Sequence, residues 1–69
     1  MQFRDLLDLC ANDVMMTIYI ATDNNPRGYT ITGTVGRMTR MVSKAILDYN
    51  VAYIEVDDNS LEIRLMEDD

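Results

Sequence analysis

The residues with types and spacing best suited to chemistry are carboxylates near the end of the sequence. Glu55, Asp57, Asp58 and Glu62 flank a short run of turn-forming residues. Neighbouring carboxylates bind a hard cation or serve as an acid and base pair in catalysis. At an exposed turn such groups are normally solvated, and a chain of 69 residues encloses little of the dry volume that an active site requires. We therefore interpret them as an anionic surface.

The segment that begins at Asp23 matches part of a calcium-binding loop. Asp23, Asn25 and Gly28 occupy the first, third and sixth positions of the EF-hand loop pattern. Arg27 and Thr34 then stand where the pattern requires ion-binding side chains. We interpret the segment as the long tip of a β-hairpin and predict no metal site there.

The composition lacks most catalytic side chains. The chain has no His, no Trp and one Cys, so it cannot form an imidazole or thiolate metal cage or an internal disulfide, and it lacks an imidazole general base. Cys10, with no His to activate it, is interpreted as a small apolar residue in a reducing compartment. We predict no enzymatic activity, no catalytic residues, no metal and no cofactor.

Three basic residues recur at helical spacing. Arg37, Arg40 and Lys44 stand at i, i+3 and i+7, which places them in one stripe of a helix that would contact phosphates or an acidic protein. Three charges form a small footprint for nucleic acid. Pairing with Asp48 or with the acidic hairpin is therefore the favoured interpretation of this basic stripe.

The hydrophobic pattern predicts a helix and a hairpin in the first half of the chain. Apolar residues at i, i+3, i+4 and i+7 indicate an amphipathic helix that ends near residue 12; they are Phe3, Leu6, Leu7 and Cys10. Alternating apolar residues from Val14 to Ala21 indicate a strand. Turn-forming residues at 22–28 and extended chemistry at 29–34 complete a β-hairpin.

The second half repeats this pattern. Thr34 is a plausible cap of a second helix, whose apolar stripe comprises Val35, Met38, Met41, Val42, Ala45 and Ile46. Asn50 is suited to close this helix. Alternation from Val51 to Val56 and from Leu61 to Met66, with turn formers at 57–60, predicts a second hairpin.

These elements predict one small α+β domain over residues 1–69, in the order α-β-β-α-β-β. We expect a four-stranded, mainly antiparallel sheet with two helices on one face. The residues expected on the covered face are Val14, Met16, Ile18, Ile20, Ile31, Ala52, Ile54, Val56, Leu61, Ile63 and Leu65. Those expected on the open face are Met15, Thr17, Tyr19, Thr30, Thr32, Val51, Tyr53, Glu55, Glu62, Arg64 and Met66.

The charge is concentrated at one end of the chain. The net charge is −6, and residues 51–69 account for all of it because they hold seven acidic residues and a single Arg. Such a surface opposes bulk attraction to nucleic acid or to an anionic membrane and favours a basic partner. The longest apolar stretch is too short to span a bilayer and the first residues are charged, so we expect a cytoplasmic protein.

Several segments together resemble a group of short acidic proteins. They are Arg4-Asp5-Leu6-Leu7, the strand containing Tyr19, the turn at Asp23, Ile31-Thr32-Gly33-Thr34-Val35 and Asp58-Asn59-Ser60-Leu61-Glu62-Ile63. The group is encoded in phages and mobile elements of gut bacteria. The resemblance implies a phage accessory protein in the host cytosol, a class that includes inhibitors of host defence such as anti-CRISPR proteins.

The leading hypothesis is a non-enzymatic module that binds a protein partner through an acidic surface. The predicted surface consists of Glu55, Asp57, Asp58, Glu62 and an acidic tail at 67–69, which is Glu67, Asp68 and Asp69. The partner would present a basic surface that otherwise holds nucleic acid. Two alternatives are a homodimer through Met15, Tyr19, Tyr53 and Met66, and weak nucleic-acid binding through the basic stripe.

Overall fold

The computed structural model describes residues 1–67 as three helices and four strands; Asp68 and Asp69 of the predicted acidic tail lie outside the described residues. In chain order the elements are α1 (Phe3–Leu9), β1 (Met15–Ala21), β2 (Tyr29–Thr34), α2 (Val35–Met41), α3 (Lys44–Leu47), β3 (Asn50–Asp57) and β4 (Ser60–Met66). The two predicted hairpins are present. The order is α-β-β-α-α-β-β, because the predicted second helix is two helices.

The sheet is mixed, so the prediction of a mainly antiparallel sheet is wrong. Its strand order is β2-β1-β4-β3, with β1 parallel to β4 at the centre and an antiparallel hairpin on each side. The two central strands carry the most deeply buried apolar side chains of the sheet, such as Ile18 and Ile63. Alternation predicts each hairpin. It does not predict that β1 of the first hairpin pairs with β4 of the second, because this depends on how the helices cross the sheet.

The break between α2 and α3 lies at Val42 and Ser43, which both have extended backbones with ψ of 154° and 161°. Val42 and Ile46 are still buried, so the apolar stripe continues across the break. Met41 and Ala45, which were assigned to the same stripe, are exposed. Two short helices turned relative to each other cannot present the whole stripe of one continuous helix to the core.

The helices and one face of the sheet enclose a single apolar core. It comprises Phe3, Leu6, Leu7, Met16, Ile18, Ile20, Val35, Met38, Val42, Ile46, Ile63 and Leu65. The Gln2 N–H donates to a carboxylate oxygen of Asp5 at 3.3 Å, which satisfies a free donor at the start of α1.

The predicted burial of β3 is wrong at several positions. A β-bulge lies between Val51 and Tyr53 and shifts the alternation by one residue. Val51, expected on the open face, packs against the core, whereas Ala52, expected on the covered face, is exposed. Ile54 and Val56 lie on the covered side by register but are 44% and 71% exposed, because the core ends short of this part of β3, beyond the bulge.

Candidate partner-binding surface

The structure brings three of the predicted acidic residues together on the open face of the sheet. Glu55 on β3 is paired directly with Glu62 on β4, and Asp57 follows Glu55 on the same face, two residues along the strand. All three side chains are exposed. Side chains paired in this way lie about 5 Å apart at Cβ, so two like charges stand side by side.

The remaining acidic residues lie elsewhere. Asp58 is in the turn of the second hairpin, where its φ of 51° is left-handed, a conformation that Asp tolerates better than most residues. Glu67 follows the far end of β4, about 25 Å from the turn at a rise of about 3.3 Å per residue. The acidic surface defined from here on therefore consists of Glu55, Asp57 and Glu62, with Asp58 at its margin.

Two tyrosines and Arg64 adjoin this acidic surface. Arg64 is paired with Tyr19 in the parallel ladder and with Tyr53 in the antiparallel one. Its guanidinium carbon lies 5.5 Å from the centre of the Tyr19 ring, within the range of a cation–π contact. The Tyr19 hydroxyl donates to the Arg27 carbonyl oxygen at 2.8 Å, which fixes the ring.

These side chains line a shallow groove of about 220 Å³ on the open face, together with Thr17 and Thr30. Arg64 was placed on this face by alternation but was missing from the predicted binding residues. The sequence signal that could have identified Arg64 as a site residue is its position two residues after Glu62, which places both side chains on the same face of the strand.

Tyr53 reports the local electrostatic potential. Its hydroxyl donates to a carboxylate oxygen of Glu55 at 3.2 Å. The negative charge of Glu55 raises the pKa of Tyr53 above its usual value, the hydrogen bond to Glu55 acts in the same direction, and Arg64 opposes both. Glu55 thus has a larger electrostatic effect on the Tyr53 hydroxyl than Arg64 does.

The carboxylates of the acidic surface have no cationic partner within residues 1–67. The ion pair found there joins Arg4 of α1 to Asp48, and both side chains are about half exposed. Pairing of the basic stripe with Asp48 is therefore wrong, since Arg4 occupies that position. The stripe itself is divided, because Arg37 and Arg40 lie on α2 and Lys44 lies on α3.

The four residues predicted for a homodimer interface are all exposed but do not form one apolar patch. Met15, Tyr19, Tyr53 and Met66 are 42%, 36%, 52% and 59% exposed. Met15 and Met66 lie at opposite ends of the open face, with Thr17, Glu62 and Arg64 among the residues between them.

No helix within residues 1–67 is long and apolar enough to cross a membrane. Over the same residues, no three Cys, Asp or Glu side chains are grouped so that they could hold a metal ion. No protein family, curated protein or solved structure matches this chain.

Proposed function

We propose that the protein is a non-enzymatic binding module whose acidic surface contacts a basic protein partner. The observation that supports this most directly is the pairing of Glu55 with Glu62 on an exposed face, where no cation within residues 1–67 neutralises either carboxylate. Like charges directly opposed across two strands destabilise a sheet. A partner that supplies Arg or Lys side chains removes this repulsion on binding.

The surroundings of the two glutamates favour Arg as the contacting residue. The Tyr53 ring is 52% exposed beside them, and an arginine that reaches Glu55 also lies within reach of this ring. Arg binds a carboxylate through two parallel hydrogen bonds and stacks on aromatic rings. The groove thus offers an arginine side chain both a charged and an aromatic contact.

Basic surfaces of this kind also bind the phosphates of nucleic acid. One form of the proposal is therefore an inhibitor that occupies a nucleic-acid-binding surface of its partner, the role implied by the resemblance to phage accessory proteins. This form predicts that nucleic acid and the present protein compete for the partner.

The test compares two variants with the same change in net charge. One variant carries Glu55→Gln, Asp57→Asn and Glu62→Gln; the control carries Asp8→Asn, Asp13→Asn and Asp23→Asn at exposed positions elsewhere. Binding to an arginine-rich peptide is measured by fluorescence anisotropy at low and at physiological salt. We expect the first variant to lose most of the affinity and of the salt dependence, and the control to keep both. Equal affinities of the two variants would contradict the proposal.

Self-association through the open face is a second candidate function. It is favoured by the exposure of the large apolar side chains Met15, Tyr53 and Met66 on one face of a small domain, since small domains gain stability by oligomerisation. Sedimentation analysis across a wide dilution range distinguishes the two, because a monomer at every concentration leaves the face free for another partner.

A further inference from the structure

The outer edge of β3 is occupied at one end and open at the other. β3 is the last strand of the sheet, so its outer edge faces away from β4. At the start of the strand the Phe3 N–H donates to the Tyr49 carbonyl at 2.9 Å and the Val51 N–H donates to the Met1 carbonyl at 2.8 Å. This short pairing is antiparallel. Within residues 1–67 no segment continues it past the bulge.

The open part of this edge presents unpaired main-chain groups. Asp57 and Ser60 flank a two-residue turn, so they form the hydrogen-bonded pair that closes the hairpin. Hydrogen-bonded and non-hydrogen-bonded pairs alternate along an antiparallel ladder. The N–H and C=O groups of Ile54 and Val56 therefore point away from β4, in the direction from which another strand would approach.

The side chains of the same two residues are uncovered. Ile54 and Val56 are 44% and 71% exposed, although their ladder partners Ile63 and Leu61 pack in or against the core. An adjacent groove of about 280 Å³ is lined by Val56 together with Cys10, Val14, Leu61 and the hairpin turn. A long edge strand with exposed apolar side chains is a template for pairing with another strand.

Charge determines which strand fits. Tyr53, Glu55 and Asp57 occupy the other side of the same edge, and all are exposed. A second copy paired through β3 would bring the Glu55 and Asp57 carboxylates of two negatively charged molecules into one strip, which disfavours it. A strand with basic side chains on that side places opposite charges across the new ladder.

We propose that the edge of β3 from Tyr53 to Asp57 accepts an extended peptide as a fifth strand. The peptide runs antiparallel to β3, as the segment 1–3 does, with basic side chains on the open face of the sheet and apolar side chains beside Ile54 and Val56. The basic character of the peptide rests on the proposed function; the main-chain pairing is additional to it.

The test uses the full chain and three short synthetic peptides in which Lys and Val alternate. One peptide is unmodified, one is N-methylated at every Val and one at every Lys, so that composition and charge are matched. In an antiparallel addition, residues on the side of Ile54 and Val56 direct their N–H groups to β3. We expect methylation at Val to weaken binding at least about tenfold, and methylation at Lys to leave the affinity unchanged.

Three results would overturn the strand-addition proposal. If both methylated peptides bind as the unmodified one does, main-chain pairing is absent, and the proposed function stands as long as neutralising the acidic surface still abolishes binding. Loss of binding with methylation at Lys alone contradicts the antiparallel addition. Absence of binding by all three peptides contradicts it as well.

A variant of the protein gives an independent measurement. Val56→Pro removes an N–H that points to the open edge and leaves the ladder with β4 intact, a position at which a strand tolerates proline. We expect the unmodified peptide to bind the Val56→Pro variant at least about tenfold more weakly than the original protein. The Val56→Thr variant keeps the N–H, so we expect the peptide to bind it with unchanged affinity. Thermal unfolding confirms that both variants are folded; a folded Val56→Pro variant with unchanged affinity would refute the proposal.

Discussion

Glu55 and Glu62 determine the electrostatics of the open sheet face at the scale of single residues. They are directly opposed, and the nearest base on the face, Arg64, stacks on Tyr19 instead of forming an ion pair with either. The repulsion is tolerable because both carboxylates are exposed to water, which screens it. The isolated domain would be more stable without it, which is consistent with a role in binding rather than in folding.

Removal of one of these charges should stabilise the domain. We expect Glu62→Gln to raise the free energy of unfolding by about 0.2–1 kcal/mol at low salt, and the gain to shrink in high salt as the repulsion is screened. Urea denaturation measures both values. Glu67→Gln is the matched control, since Glu67 lies beyond the far end of β4; an equal gain in the control would show that net charge alone is responsible.

The raised pKa of Tyr53 depends on Glu55, whose charge and hydrogen bond are the two largest causes. We expect Glu55→Gln to lower the Tyr53 pKa, as followed by NMR of the ring. Tyr53 holds its proton more tightly in the folded state, so its contribution to stability is present below the unfolded pKa and is lost as pH rises through the folded one. Tyr49, whose pKa is raised chiefly by burial and not by Glu55, is the internal control. A Tyr53 pKa that is insensitive to Glu55→Gln would contradict the assigned cause.

At the scale of elements, the sequence pattern predicts what each segment is but not how the segments are joined. Period-two alternation identifies all four strands and both hairpins. The apolar stripes identify the buried positions of α1, α2 and α3, although the second stripe also includes the exposed Met41 and Ala45. The break at Val42 and Ser43 has no strong breaker such as Gly or Pro. The bulge at Ala52 likewise has no local signal; it lies where β3 pairs with β4 on one side and the first residues of the chain pair with the start of β3 on the other.

The tip of the first hairpin depends on Gly28. Its φ is +73°, and a Cβ added there would lie 2.6 Å from the carbonyl oxygen of Ile20. Both the left-handed backbone and this contact with main chain exclude a side chain. We expect Gly28→Ala to destabilise the fold by about 1–3 kcal/mol, measured by thermal or urea unfolding. Asn24→Ala, at an exposed position in the same loop, should change stability by less than about 0.5 kcal/mol.

At the scale of the whole molecule, the acidic surface and the two arginines of α2 lie on different sides of the sheet. Glu55, Asp57 and Glu62 lie on the open face of the sheet, whereas Arg37 and Arg40 lie on α2, which packs on the covered face. Of the residues predicted for the acidic surface, alternation placed Glu55, Asp57 and Glu62 on one face of a simple hairpin, and the structure has the same register. The sequence did not predict that Glu67 lies far from the other acidic residues, which follows from the length of β4. It also did not predict the open edge of β3, which follows from how far the helices extend over the sheet.

This separation gives a definite expectation for nucleic acid. Arg37 and Arg40 remain neighbours on one helix, but Lys44 lies on the next, so the basic stripe offers at most three phosphate contacts. Three contacts give a log–log salt slope of roughly −2 to −3, on a molecule with a net charge of −6. We expect no mobility shift of single- or double-stranded DNA or RNA by micromolar protein at about 0.15 M salt, where exposed charges are screened beyond about 8 Å. A clear shift that is abolished by Arg37→Glu with Arg40→Glu, but retained when Glu55, Asp57 and Glu62 are neutralised, would contradict the proposed function of the acidic surface and assign binding to α2.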